Sequence, residues 1–141
     1  MIIETDNIPK TLAETYAFID NMDMNDIDDW CNLTVKTALA RGHHSFGQWI
    51  RNNFGLWEEE TNDLKQWFID NYFITHPDDI SSMILVNFHE RKNGNVPDMN
   101  KEANRYHEFW SVNDFKYKLK LRKFKLNKLC SELKKYSNQE K

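Results

Sequence analysis

A chain of 141 residues, 40% apolar and 29% charged, can bury one core and still carry an appendage. No apolar run approaches the roughly 20 residues of a membrane helix, and the opening "MIIETDNIPK" has neither the basic start nor the apolar stretch of a secretory signal. The net charge of −3 is unevenly spread: residues 1–112 hold 9 basic against 19 acidic side chains, and residues 113–141 hold 10 against 3.

An acidic helical domain over 1–112 followed by a basic helical segment over 113–141 is therefore expected. Cys31 and Cys130 are distant and have no Cys or His at metal spacing. Both read as free thiols of a reducing cytoplasm, and neither a metal nor a cofactor is expected.

Pro9 and Thr11 open a first helix with Leu12, Tyr16 and Ile19 on one face. After "NMDMND", a second helix starts at Asn25 or Asp26 and runs to Arg41, with Ile27, Trp30, Cys31, Thr34 and Ala38 aligned. Asp26, Asp28 and Asp29 suit its first turn and Arg41 its last, and Gly42 is placed to end it in a left-handed conformation. Ser45 caps a short third helix that Gly55 stops.

Thr61 caps a fourth helix, with Leu64, Trp67 and Phe68 inward. Thr75 and Asp78 have capping-box spacing around Pro77 and open a fifth, which places Ile80, Met83, Ile84 and Phe88 on one face and ends before Gly94. Pro97 and Asp98 open a sixth, with Tyr106, Phe109 and Trp110 apolar. The last segment alternates like a strand at Phe115, Tyr117, Leu119 and Leu121, but its length and lack of β-branched residues favour a helix. The expected fold is all-α: a compact bundle of about six helices plus a basic amphipathic C-terminal helix.

Three of the four glycines fall within "RGHHSFGQWIRNNFGLW", Arg41 to Trp57. On a helix from Ser45, Phe46, Trp49 and Ile50 are core, and Gln48, Arg51 and Asn52 lie on the other side or at its edges. Gly47, costly inside a helix, implies close approach of another helix or of a ligand to its backbone. Arg51, Asn52 and Asn53 form a polar cluster able to hold a carboxylate, a phosphate or a partner's backbone, while the two asparagines also read as ordinary capping residues near the helix end.

"HPDDISS" supplies a counterpart, since Asp78 or Asp79 can take a bidentate bond from Arg51 and brace the two motifs. In a catalytic alternative His76 and Asp79 form a general acid–base pair, whereas the structural alternative has His76 serve the start of its helix. His43 and His44 are adjacent and diverge on a helix, and no histidine pair has the spacing of "HExxH". The candidate ligand- or partner-binding set is His44, Gln48, Arg51, Asn52, Asn53, Trp57, His76, Asp78 and Asp79, with no catalytic residue assigned.

The run "SFGQWIRNNFGLW", followed about twenty residues later by "HPDDISSMIL" and then "FHERKNG", resembles a small bacterial and phage domain family of unknown function. Its members carry WIRNN[WF]GLW and HPDD[IM]S at similar spacing. The resemblance spans roughly Thr11 to Trp110 and implies an α-helical domain whose two motifs form one unit. It implies no activity or ligand.

The leading expectation is a cytoplasmic, non-enzymatic protein that occupies a partner protein, as inhibitors and immunity-type proteins do. A second reading is a small-molecule or nucleotide binder that holds a small anionic ligand with Arg51, Asn52, Asn53 and His76. A third is a hydrolase using His76 and Asp79. A fourth has the basic tail, Lys116 to Lys135, grip nucleic acid. The tail's apolar stripe is expected to be buried on the body or on a second copy, in a homo-oligomer; lying on a membrane surface is its alternative.

Overall fold

The computed structural model describes residues 4–23 and 26–139, and among them eight α-helices and one 3-10 turn account for the regular structure. The chain divides into two compact units, Met1–Ala103 and Asn104–Lys141.

Helix α1, Leu12–Asp20, starts where an extended Thr11 accepts the Glu14 N–H at 3.1 Å and Glu14 in turn accepts the Lys10 N–H at 2.6 Å. This reciprocal capping satisfies two donors. Leu12, Thr15 and Ile19 are buried, and the ring of Tyr16 lies 5.5 Å from Phe88.

The second expected helix is two. Helix α2 is Ile27–Cys31 and α3 is Val35–Gly42. Asn25, one of the proposed starts, lies outside the described residues. Thr34 is extended and caps α3 by accepting the Thr37 N–H at 3.3 Å. The carbonyls freed by the break are taken up from elsewhere: His89 donates to Leu33 at 2.8 Å and Asn93 to Cys31 at 2.9 Å. Trp30 folds α2 onto α3 by donating to the Ala38 carbonyl at 2.8 Å.

Gly42 is not left-handed, because the chain continues through a right-handed His43. What Gly42 provides is space: a Cβ there would stand 3.1 Å from Trp30 Nε1.

Helix α4 is Phe46–Asn53. Ser45 precedes it without capping it, since its hydroxyl donates to the Arg41 carbonyl at 3.0 Å. Gly55 does stop α4 with φ +65, and the Leu56 N–H returns to the Arg51 carbonyl at 3.1 Å, the long bond of a Schellman turn.

Helix α5, Asp63–Tyr72, is capped by Asn62 rather than Thr61. An amide can do two things at once: Asn62 accepts the Lys65 N–H at 2.9 Å and donates to the Phe54 carbonyl at 2.8 Å, joining the end of α4 to the start of α5. Leu64 and Phe68 are buried, whereas Trp67 is half-buried.

Helix α6, Pro77–Lys92, is the centre of the first unit and packs against α1, α3 and α4. Leu85, Val86, Ser81, Asn87 and His89 are buried along with the expected Ile80, Met83, Ile84 and Phe88, so the helix is enclosed on most sides rather than along one stripe. Its cap is His76, not Thr75. Pro77 has no N–H, so the first donor needing a partner is that of Asp78, and His76 Nδ1 accepts it at 3.1 Å.

Helix α7 is Met99–Asn113, opened by Asp98 accepting the Lys101 N–H at 3.1 Å. Met99, Ala103 and His107 are buried, but the apolar Phe109 is 57% exposed. Helix α8, Phe115–Gln139, resolves the strand–helix ambiguity. Asp114 opens it by accepting the N–H groups of Lys116 at 2.9 Å and Tyr117 at 3.3 Å. The all-α expectation holds, with one helix more than periodicity indicated.

Candidate functional site

Arg51 is built into the first unit as a brace. Gly47 leaves the room: a Cβ there would come within 3.0 Å of Arg51 Nη1 and 3.2 Å of the Gly42 carbonyl oxygen. Arg51 is only 5% exposed. Its Nη1 donates to Ser81 Oγ and its Nη2 to the His43 carbonyl, both at 2.9 Å, and Nε stands 3.3 Å from Asp78 Oδ1. The Ser81 hydroxyl in turn donates to the Asp78 carbonyl at 2.9 Å.

The expected contact between the two motifs is present, but the guanidinium is not paired bidentately with one carboxylate. Its fork is shared between the α3–α4 connection, a serine hydroxyl and a carboxylate in the first turn of α6. The acid of the pair is half-open, since Asp78 is 40% exposed while the arginine side chain is 6% exposed.

Above this brace lies an accessible patch. Trp57 is 55% exposed and meets the His76 ring edge-on with centroids 6.1 Å apart. His76 Nδ1 lies 3.9 Å from Asp78 Oδ2 as well as accepting the Asp78 N–H. That acceptor role needs Nδ1 unprotonated, so a neutral imidazole carries its proton on Nε2. Asp79 is half-buried in the same turn.

The nine candidate residues do not converge. Arg51 and Asp78 form the brace. Trp57, His76 and Asp78 make the patch. Asn52 and Asn53 line a separate cleft of about 710 Å³ with Lys10, Asn62 and Glu58–Glu60, a cleft that includes neither Arg51 nor His76. Asn53 also donates to the Trp49 carbonyl at 2.8 Å. His44 is exposed with its ring 4.7 Å from that of His43, and Gln48 is exposed on α4.

Residues that periodicity overlooked complete the architecture. Ser81 carries the arginine. His89, 3% exposed, supports the α2–α3 break and packs edge-on to Trp30 at 5.1 Å. Asn93 assists it. A polar residue inside a run as apolar as Ile80–Phe88 is the one signal that could have marked Ser81 and Asn87 as partners of other buried groups.

Cys31, Lys92 and Tyr72 have displaced ionisation. Burial raises the Cys31 thiol above its ordinary value, with Lys92 opposing. The Asp20 carboxylate, hydrogen-bonded to Lys92 at 2.8 Å, raises the Lys92 ammonium. Burial, helped by Asp98, raises Tyr72. Among the described residues no cluster of three or more His, Cys, Asp or Glu side chains is arranged to hold a metal ion, and no helix is long and apolar enough to cross a membrane.

No curated protein and no solved structure matches the chain. A family model described as a domain of unknown function, DUF6794, matches residues 8–92, which contain both the tryptophan-rich run and "HPDDISS". The match ends with α6, so α7 and α8 lie beyond it, and the similarity expected as far as Trp110 is established only to Lys92. With more than half of its length matched, and with its two motifs joined through Arg51 inside the matched region, the chain belongs to the DUF6794 family.

Proposed function

We propose that this domain is a non-enzymatic binding module that acts by occupying a partner protein, and that Trp57, rimmed by His76 and Asp78, is the centre of its binding patch. The observation that carries this reading is a large aromatic side chain, 55% exposed, on the turn between α4 and α5, a turn held by the Leu56 N–H donating to the Arg51 carbonyl and by Asn62 donating to the Phe54 carbonyl. Rigid aromatic anchors with a polar rim are what protein interfaces concentrate their energy in. Glu58, Glu59 and Glu60 follow Trp57 and are exposed, which favours a partner with a basic surface. A bacterial or phage setting rests on the resemblance of the two motifs, which implies no activity; the inhibitor or immunity type of action rests on the exposed aromatic anchor and the acidic side chains beside it.

The test is purification of the chain from its host in wild-type and Trp57→Ala forms. A polypeptide retained in stoichiometric amount by the wild type and lost by Trp57→Ala, at unchanged melting temperature, supports the reading. Equal retention by both forms overturns it.

A second reading, a small-ligand binder, draws support from the Asn52–Asn53 cleft, whose lining includes Lys10. It predicts a small molecule in native mass spectra that Asn52→Asp, rather than Trp57→Ala, removes. The hydrolase reading requires His76 Nδ1 to leave the Asp78 N–H or the chemistry to use Nε2.

A further inference from the structure

Helix α8 is apolar on two sides. Tyr117, Leu121 and Phe124 share one side, where Leu121 is buried and the two rings are half-buried. The Tyr117 ring lies 6.3 Å from Trp110. Roughly half a turn away round the helix, at about 100° per residue, Phe115, Leu119, Leu126, Leu129, Leu133 and Tyr136 form a second stripe. Each of these six is between 48% and 70% exposed.

The stripe has heptad spacing. Leu119, Leu126 and Leu133 recur every seven residues, and so do Phe115, Arg122, Leu129 and Tyr136, the second series three residues after the first. This is the seam of a two-stranded coiled coil with one polar interruption, at Arg122.

We propose that the stripe pairs with the same stripe on a second copy of the chain, and that the two α8 helices run antiparallel. The residues flanking the seam decide the direction. Lys118, Lys125 and Glu132 border one side; Lys116, Lys123, Cys130 and Ser137 border the other. A parallel, in-register pair would set Lys118 against Lys123 of the second copy on both sides, and Arg122 against Arg122.

An antiparallel pair with Leu126 over Leu129 of the second copy avoids both clashes. It places Leu119 over Tyr136 and sets Lys125 against Glu132, the one acid of the helix, twice by symmetry. Lys123 then meets Cys130, Lys116 meets Ser137, and no like-charged pair remains along the flanks. This register is centred between residues 127 and 128, almost the midpoint of Phe115–Gln139, so nearly the whole helix is covered. The pairing also gives the outer stripe a use distinct from the face that Tyr117, Leu121 and Phe124 occupy. It draws nothing from the reading of Trp57.

The experiment uses the full chain. Sedimentation equilibrium should give a dimer, and the double variant Leu126→Lys with Leu133→Lys should weaken association at least about tenfold while leaving the helical circular-dichroism signal unchanged. Direction is read in a Cys130→Ser background. Oxidising an equimolar mixture of Leu126→Cys and Leu129→Cys chains should give the mixed disulfide-linked dimer, whereas a parallel pair would join Leu126→Cys to itself. Preferential same-residue linkage, a dimer indifferent to the double lysine variant, or a wild-type monomer well above micromolar concentration each overturns the proposal. A monomer that instead binds phosphatidylserine vesicles or a single-stranded oligonucleotide assigns the stripe to lipid or nucleic acid.

Discussion

Arg51 is where sequence chemistry and architecture meet most tightly, and its replacement should show how. Removing a fully buried ion-pair partner costs about 3–5 kcal/mol. Asp78 is 40% exposed, so water takes over its carboxylate when Arg51 is lost. The deficit then comes from the hydrogen bonds to Ser81 and His43, and Arg51→Ala should destabilise by about 2–3 kcal/mol in chemical denaturation. Arg51→Lys should recover less than half of that, because one ammonium cannot span three divergent partners.

Gly47→Ala, ordinarily worth about 1 kcal/mol in a helix, should instead destabilise, since its Cβ would press on Arg51 Nη1 and on the Gly42 carbonyl oxygen. In an Arg51→Ala background part of that penalty should vanish. Additive losses in the double variant would show that the two residues act separately. The contact between Arg51 and the acids of "HPDD" was legible because a buried guanidinium needs a carboxylate. The division of its fork was not, because one acceptor is a backbone carbonyl, that of His43, to which side-chain patterns are blind.

The helices show the same distinction between local and distant causes. Thr11, Gly55, Pro77 and Asp98 mark boundaries through chemistry within one turn, and a sequence displays them. Thr34 instead reads as part of one continuous face, because Trp30, Thr34 and Ala38 keep helical spacing across the break. What makes the break tolerable stands more than fifty residues later, in the His89 side chain that donates to Leu33. His89→Leu should therefore cost about 1–3 kcal/mol by leaving that carbonyl unsatisfied. Hydrogen exchange of α2 and α3 should accelerate more than that of α5. Uniform acceleration would deny the break its dependence on His89.

The caps of α5 and α6 stand one residue beyond Thr61 and Thr75. Each helix begins one residue further on, so the cap position falls to Asn62, which accepts the Lys65 N–H, and to His76, which accepts the Asp78 N–H that Pro77 leaves first in line. His76→Asn should keep most of the stability that His76→Ala loses, about 1 kcal/mol, because asparagine is a good cap. A His76→Ala protein with unchanged melting would remove His76 from the helix start and leave it wholly to the patch.

At the scale of the whole molecule, ionisation turns these local contacts into a dependence on pH. Cys31, Tyr72 and Lys92 all have their proton affinities raised in the folded chain. Each raised group binds its proton more firmly folded than unfolded, so its contribution is fully present below its unfolded value and is lost as pH rises through the folded one. The unfolded values are about 8.5 for a thiol and about 10 to 10.4 for tyrosine and lysine. Stability should therefore be level near neutrality as far as these three groups are concerned, then fall from about pH 8.5 upward. Cys31 acts first, through the burial of its thiol, and Tyr72 and Lys92 follow. The Lys92 share is small, because its ammonium and the Asp20 carboxylate are 34% and 41% exposed and solvent screens them. Urea midpoints measured across this range should decline in the wild type, with the early part of the slope reduced in Cys31→Ala and the late part reduced in Asp20→Asn. Midpoints that rise with pH, or a slope untouched by Cys31→Ala, would mean that the buried thiol does not govern the alkaline limit. Because Cys31 ends α2 at the α2–α3 break and its carbonyl is held by Asn93, the same titration reports whether that break opens before the rest of the first unit. An alkaline loss of the Trp30 environment, seen in tryptophan fluorescence ahead of global unfolding, is the expected sign.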